Sequence, residues 1–166
     1  MIALNHFNQL EADAAMALLQ PCVALPGWAA ALVAARPFAS LAALHHTAKA
    51  LTQSWGGAEL EQALSAHPRI GEKPGGQQAH AVLSRQEQSA VNADDRQLAE
   101  ALRLGNADYE ARFGRVFLIR AKGRSAEEIL GALRQRLTHS DAEETAVALE
   151  QLREITLLRL AGAISE

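Results

Sequence analysis

Apolar residues recur at steps of three and four along most of this chain, which is the spacing that lines one face of an α-helix. The clearest stretch contains Leu41, Leu44, Ala48 and Leu51. Comparable stretches cover about residues 8–20, 26–36, 58–66, 95–113, 125–137 and 140–164. We therefore predict an all-α fold in which residues 1–166 form a single compact domain of about seven to nine helices.

One run of residues departs from this pattern. The run from Val116 to Ile119 is the only β-like stretch in the sequence. A single isolated strand cannot form a sheet, so we predict a short irregular or extended segment near residues 116–121. Arg120 follows the run directly, and a charged side chain among apolar residues must find a partner or reach solvent.

Local polar residues predict where several helices begin. Serine followed three residues later by glutamate is typical of a capping box, in which each side chain bonds the other residue's backbone N–H. Such pairs are Ser84 with Glu87, Ser125 with Glu128, and Ser140 with Glu143. Further predicted starts are a cap at Asn8, a cap at Ser40 and a first-turn proline at Pro26.

The longest interruption of the helical pattern contains a candidate site. His67 precedes a proline, which favours an extended backbone, and a loop rich in glycine and proline is predicted at residues 72–78. We expect this loop to present the His67 imidazole to a helix that starts at Ser84 and carries Glu87 and Gln88. An imidazole, a carboxylate and an amide suit a small polar ligand and proton transfer. In the alternative interpretation His67 merely ends a helix and Glu87 merely completes a capping box.

Composition and charge narrow the function classes. The 166 residues carry a formal net charge of -3 with lysine and arginine scattered singly, which argues against nucleic-acid binding. No apolar run has the roughly 18 residues of a membrane span, and no secretion signal is present. The single cysteine, Cys22, excludes an internal disulfide. We expect a cytoplasmic protein, and a homodimer is compatible with the sequence.

Histidine spacing does not indicate a metal site. His45 and His46 are adjacent, which points them about 100° apart on a helix. The other histidines outside the candidate site are His6, His80 and His139, and none has an acidic or cysteine partner at ligand spacing. We predict no metal.

Several short motifs occur in a specific order. They are Arg36-Pro37-Phe38, then His67-Pro68-Arg69-Ile70-Gly71, then Ser84-x-x-Glu87-Gln88-Ser89, then Asn106-x-x-Tyr109-x-x-Arg112-Phe113-Gly114, then Phe117-Leu118-Ile119, and then Gly123-Arg124-Ser125. In this order the chain resembles the 2-oxo-4-hydroxy-4-carboxy-5-ureidoimidazoline (OHCU) decarboxylases of the urate-to-allantoin pathway, in their bacterial form.

The resemblance implies an all-α enzyme that converts OHCU to (S)-allantoin with no metal or organic cofactor. It places the catalytic histidine on His67 and the catalytic glutamate on Glu87. It places substrate contacts on Pro68, Ser84, Arg85, Gln86, Gln88, Phe117, Leu118, Ile119, Arg120 and Ala121.

The residues are compatible with this chemistry. Histidine titrates near neutral pH, so His67 suits the proton transfer that follows loss of CO2. Glu87 and Gln88 suit hydrogen bonding to the ring and ureido groups. The competing interpretation is a non-catalytic helical module that binds a purine-derived small molecule or a partner helix.

Overall fold

The structure is a computed structural model that describes residues 1–71, 79–89 and 95–166. Within these ranges it contains nine α-helices, which are Leu4–Gln9 (α1), Ala12–Leu19 (α2), Pro26–Ala34 (α3), Leu41–Thr52 (α4), Gly57–Leu64 (α5), Ala79–Glu87 (α6), Arg96–Phe113 (α7), Ala126–Arg136 (α8) and Asp141–Ala163 (α9). A 3-10 helix, Gln20–Cys22, follows α2. The all-α prediction is confirmed in its main part. A parallel pair of two-residue strands, Ile2–Ala3 (β1) and Ile164–Ser165 (β2), is an addition that the hydrophobic pattern does not indicate.

The described chain divides into two compact units. Residues 1–63 and 153–166 form the first unit, and residues 64–152 form the second. The second unit has a hydrophobic core that includes Leu102, Tyr109, Phe117, Ile129 and Leu133. All the candidate site residues lie in the second unit. That the whole chain forms one domain stays a prediction.

Several helices begin at the residues that the sequence indicates. The Ser40 hydroxyl accepts a hydrogen bond from the Ala43 N–H at 3.1 Å, which satisfies a free donor in the first turn of α4. Pro26 occupies the first turn of α3. Both reciprocal bonds of the capping box are present between Ser125 and Glu128 at the start of α8. The same pair of bonds joins Ser140 and Glu143 before α9.

Asn8 is not a helix cap, so that prediction was wrong. It lies inside α1, and its side chain instead pairs with the backbone of Phe38, donating to the carbonyl oxygen at 3.0 Å and accepting from the N–H at 2.9 Å. Arg36 supplements this contact by donating from Nη1 to the carbonyls of Phe7 and Leu10, at 2.7 and 2.8 Å. These carbonyls lie at the C-terminal end of α1, where the Phe7 carbonyl also accepts a longer bond of 3.3 Å from the Leu10 N–H.

The helix that carries Glu87 also differs from the prediction. Ser84 lies within α6 and not at its start, and Glu87 is the last helical residue. The preceding residues from Ala79 to Leu83 are mostly good helix formers, so the helix extends past the Ser-x-x-Glu pattern. Glu87 and Gln88 therefore lie at the C-terminal end of the helix. The predicted loop at residues 72–78 and the predicted interruption at Asn92, Ala93 and Asp94 lie outside the described residues.

Residues 116–121 form neither helix nor strand, as predicted. Phe117, Leu118 and Ile119 are 1%, 4% and 4% exposed, so this irregular segment is part of the core. Its backbone hydrogen-bonding groups are not paired by regular structure and need other partners.

Candidate active site

Helix α7 supports the candidate site through one face. Asn106, Tyr109 and Glu110 are spaced at three and four residues, so their side chains project from the same side of the helix. Gly114, with φ at +72°, ends the helix in the left-handed conformation that glycine tolerates best. The chain then turns directly into the irregular segment. Contacts from this face reach both that segment and the loop that contains His67.

The loop at residues 67–71 is held at three successive positions. The Arg69 guanidinium bonds the Glu110 carboxylate, with Nε at 3.0 Å from Oε2. The Ile70 carbonyl accepts a buried hydrogen bond of 2.8 Å from the Asn106 amide. The Gly71 N–H donates to Gln88 Oε1 at 3.1 Å, with Gly71 at a φ of +93°. His67 and Pro68 are half-buried at the start of this fixed loop.

The end of α6 contributes the second part of the site. Ser84, Glu87 and Gln88 are spaced at three and four residues and share one side of the helix turn. Ser84 is buried, Glu87 and Gln88 are half-buried, and Gln86 is exposed. The bond between Gly71 and Gln88 joins this helix end to the loop that contains His67. The two motifs that the sequence singled out are therefore neighbours.

The segment at residues 117–121 contributes backbone groups. The Leu118 carbonyl accepts from Arg136 Nη1 at 2.8 Å, and the Arg120 N–H donates to Gln151 Oε1 at 2.8 Å. Within the described part of the chain, the N–H groups of Leu118, Ile119 and Ala121 donate no hydrogen bond. The buried Arg120 Nε also has no partner there. With respect to the described residues, this segment thus combines N–H donors that have no partner with backbone groups that are held in place.

A buried ionic network lies behind the segment. Glu144 is fully buried and its Oε1 accepts from Arg136 Nε at 2.8 Å, from Arg136 Nη2, and from the Tyr109 hydroxyl at 2.8 Å. Its other oxygen, Oε2, lies 3.2 Å from His139 Nδ1. Burial and the hydrogen bond to the Glu144 carboxylate raise the pKa of Tyr109 to about 12. Tyr109 therefore remains a neutral donor.

The sequence reasoning missed Arg136, Glu144 and Gln151. A signal was present for Glu144, which lies four residues before Ala148 and eight before Leu152, on the apolar side of α9. An acid at an apolar position of a helix indicates a buried charge that needs a partner. No comparable signal was available for Gln151, because its contact with Arg120 spans 31 residues.

The described residues contain neither a clustered set of metal ligands nor a helix that could span a membrane. No group of three or more histidine, cysteine, aspartate or glutamate side chains is arranged to hold a metal ion in residues 1–71, 79–89 and 95–166. Over the same residues, every helix is too short or too polar to cross a bilayer.

Comparison with known proteins identifies the family of this helical protein. The family model for OHCU decarboxylase matches residues 8–161. A 2-oxo-4-hydroxy-4-carboxy-5-ureidoimidazoline decarboxylase from Haloferax volcanii is 27% identical over 165 residues, which cover 99% of this chain and 97% of that protein. The corresponding decarboxylase from Amia calva is 33% identical over 141 residues, which cover 84% of this chain and 81% of that protein.

A solved structure agrees with the sequence matches. A crystal structure of an OHCU decarboxylase in the presence of (S)-allantoin has a TM-score of 0.73 and 25% identity, and covers 92% of this chain and 97% of that chain. The chain belongs to the OHCU decarboxylase family and is a carboxy-lyase. This favours an enzyme over a binding module. The relatives named here are archaeal and vertebrate, so a bacterial origin stays a prediction, as do the compartment and the oligomeric state.

Proposed function

We propose that the decarboxylation of OHCU to (S)-allantoin, a step of urate degradation, is carried out in this chain by His67 and Glu87. His67 delivers a proton to the former C=N carbon of the enol that remains after CO2 is lost, while the enol hydroxyl gives up its own proton to become the carbonyl, and Glu87 orients the substrate through its N–H groups. The bond between Gly71 and Gln88 is the observation that supports this assignment most directly, because it brings the His67 loop to the end of α6.

The reaction needs an electron acceptor and a proton donor. When the bond between the ring carbon and the carboxylate breaks, the electron pair passes into the C=N bond and ring of the substrate itself. A proton then adds to one face of the resulting enol, and this choice of face gives a single enantiomer. An imidazole is suited to this step because its ordinary pKa is close to neutral.

Fixed geometry around His67 supports a role in stereospecific protonation. The loop at residues 67–71 is bonded to α7 at Arg69 and Ile70 and to Gln88 at Gly71. Backbone bonds at Ile70 and Gly71, together with the side-chain ion pair of Arg69, restrict the freedom of the neighbouring His67 side chain. Positioning of this kind favours proton delivery from one direction.

Gln88 and residues 117–121 are proposed to bind the polar groups of the substrate. Because Gln88 Oε1 already accepts from Gly71, its amide N–H groups are the part that we assign to a substrate carbonyl. The N–H groups of Ile119 and Ala121, which donate no hydrogen bond within the described residues, are assigned to oxygen atoms of the substrate, and Leu118 stays a proposed contact. Ser84, Arg85, Gln86, Pro68 and Phe117 stay proposed contacts, although the exposure of Gln86 makes it the weakest of them.

Arg120 is proposed to contact a neutral oxygen of the substrate and not the leaving carboxylate. Its buried Nε has no partner within the described residues, which suits a donor that bonds a ligand. An ion pair with the carboxylate would stabilise the substrate more than the transition state, in which that charge is lost.

The test is circular dichroism of freshly generated OHCU, with and without the protein. Spontaneous decay gives racemic allantoin, so a lasting signal reports enzymatic formation of the (S) product. We expect His67→Ala to lower kcat by about 10²- to 10⁴-fold, the usual contribution of a general acid or base. Glu87→Gln should raise KM and lower kcat. His46→Ala and Glu127→Gln, which change exposed residues of α4 and α8, should behave as the wild type. Full turnover and a lasting (S) signal from His67→Ala would end this assignment.

A further inference from the structure

We propose that Arg136 and Gln151 are positioning residues that set the backbone of residues 117–121 for substrate binding. This inference rests on the proposed function, in which that segment supplies N–H donors to the substrate. Neither residue belongs to the sequence motifs, and neither is proposed to touch the substrate itself.

The two residues bond the segment at alternate positions. Arg136 Nη1 donates to the Leu118 carbonyl at 2.8 Å, and Gln151 Oε1 accepts from the Arg120 N–H at 2.8 Å. These bonds hold the backbone at residues 118 and 120, while the N–H groups of Ile119 and Ala121 have no partner among the described residues.

Arg136 is itself held in place from several sides. Its guanidinium is 4.4 Å from the centre of the Phe117 ring and bonds Glu144 through Nε and Nη2. Tyr109 donates to the same Glu144 oxygen at 2.8 Å, which fixes the carboxylate in turn. The planar guanidinium can bond a carboxylate and a carbonyl at once, a geometry that lysine does not reproduce.

The burial of this ion pair supports a role in geometry more than in stability. Arg136 and Glu144 are 5% and 0% exposed. Removing two charges from water costs about as much as their attraction returns, so a buried pair is weak evidence for stability. A pair that also bonds the backbone of an irregular segment does specify where that segment lies. The Gln151 contact holds the backbone at residue 120 and carries no charge. Gln151 is therefore the better residue to change.

The experiment compares Gln151→Leu, which removes the acceptor, with Gln151→Glu, which keeps one. Gln151→Leu should raise the KM for OHCU by about five- to tenfold with a smaller change in kcat, the size expected for one hydrogen bond. Gln151→Glu should stay within about threefold of the wild-type KM. Gln135→Leu, at an exposed position of α8, is the matched control and should leave KM unchanged.

Amide hydrogen exchange of the ligand-free protein tests the same idea without turnover. The Arg120 amide should exchange faster in Gln151→Leu than in the wild type and should be protected again in Gln151→Glu. Arg136→Lys should also speed exchange of the Arg120 amide, because it loosens the backbone beside the Gln151 contact. Adding (S)-allantoin to the wild type should then protect the Ile119 and Ala121 amides.

Distinct results would overturn the two proposals. An unchanged KM and an unchanged Arg120 exchange rate in Gln151→Leu would refute the positioning role, whatever His67→Ala does. A loss of activity in Gln151→Leu that only follows a lower melting temperature would also refute it, since that is a purely structural effect. Full turnover by His67→Ala would instead refute the catalytic assignment, and the exchange data for Arg120 would be unaffected by it.

Discussion

Substitution of Gly105 by alanine tests the close packing of α7 against α8. A Cβ atom at position 105 would lie 2.5 Å from Leu133 Cδ2 and 3.3 Å from Leu133 Cγ. Carbon atoms in favourable contact are about 3.5–4.0 Å apart, so the new methyl group overlaps this side chain by about 1 Å. Leu133 is fully buried beside Ile129 and Leu130, and it has little space into which it can move.

Two opposing effects determine the size of the change. Replacing glycine by alanine inside a helix stabilises by about 0.5–1 kcal/mol through the unfolded chain and helix propensity. Overpacking a filled core costs about 1–3 kcal/mol. We expect Gly105→Ala to lower the free energy of unfolding by about 1 kcal/mol, which corresponds to about 2–4 °C in melting temperature.

Gly131→Ala provides the matched control because it also changes a glycine within a helix. Gly131 is an exposed residue of α8, and a Cβ there meets no atom within 4 Å. Gly131→Ala should therefore stabilise the protein. The difference in the free energy of unfolding between the two variants measures the cost of the overlap with Leu133. Urea unfolding followed by circular dichroism at 222 nm measures both free energies. Equal stability of the two variants would contradict this account of the packing.

Two further predictions concern the first unit. Asn8→Ala removes both hydrogen bonds to Phe38 and should lower the free energy of unfolding in urea by about 1–3 kcal/mol. Asn5→Ala, at an exposed position of α1, should change it by less than about 0.5 kcal/mol. Similar losses from both variants would argue against a stabilising role of the Asn8–Phe38 hydrogen bonds. Burial raises the pKa of the Cys22 thiol to about 12, so the folded protein keeps this proton longer than the unfolded chain, and this contribution to stability should fall as pH rises from about 9 towards 12. Iodoacetamide at pH 9 should thus modify Cys22 only after unfolding, and rapid labelling of the native protein would contradict a protonated thiol.

Features set by neighbouring residues could be predicted from the sequence. Ser40, Ser125 and Ser140 begin helices because each side chain bonds a backbone N–H three residues later. Gly114 ends α7 because its left-handed conformation costs a residue without Cβ little. The irregular segment after it was predictable because a single apolar run without a second strand has no sheet to join.

Features that depend on distant partners could not be predicted in this way. Ser84 belongs to the same Ser-x-x-Glu pattern as Ser125, yet it lies inside a helix, because residues before it also favour helix. Asn8 has the composition of a cap, but its partner is Phe38, 30 residues further along the chain. A local sequence pattern indicates which local structure, such as a helix start, a segment favours. It carries no information about which distant backbone group a side-chain amide will bond.

The candidate site shows the same division. His67 and Glu87 were identified because proline, glycine and a resemblance of motifs mark their segments. Arg136, which supports the segment at residues 117–121, was not identified. Its bond to the Leu118 carbonyl spans 18 residues and begins on an ordinary amphipathic helix. Residues proposed to contact a ligand leave motifs in a sequence more readily than residues that position them.

The discontinuity of the first unit has a consequence for the order of folding during synthesis. Ile2 pairs with Ile164 in the parallel strand pair, and residues 1–63 share their unit with residues 153–166. A ribosome releases residues 1–63 first, but their partners emerge only after all of residues 64–152 have been made. The second unit is continuous, so we expect it to fold on the nascent chain before the first. Chains that end at residue 152 and have been released from the ribosome should resist limited proteolysis within residues 95–152 while residues 1–63 are still cleaved.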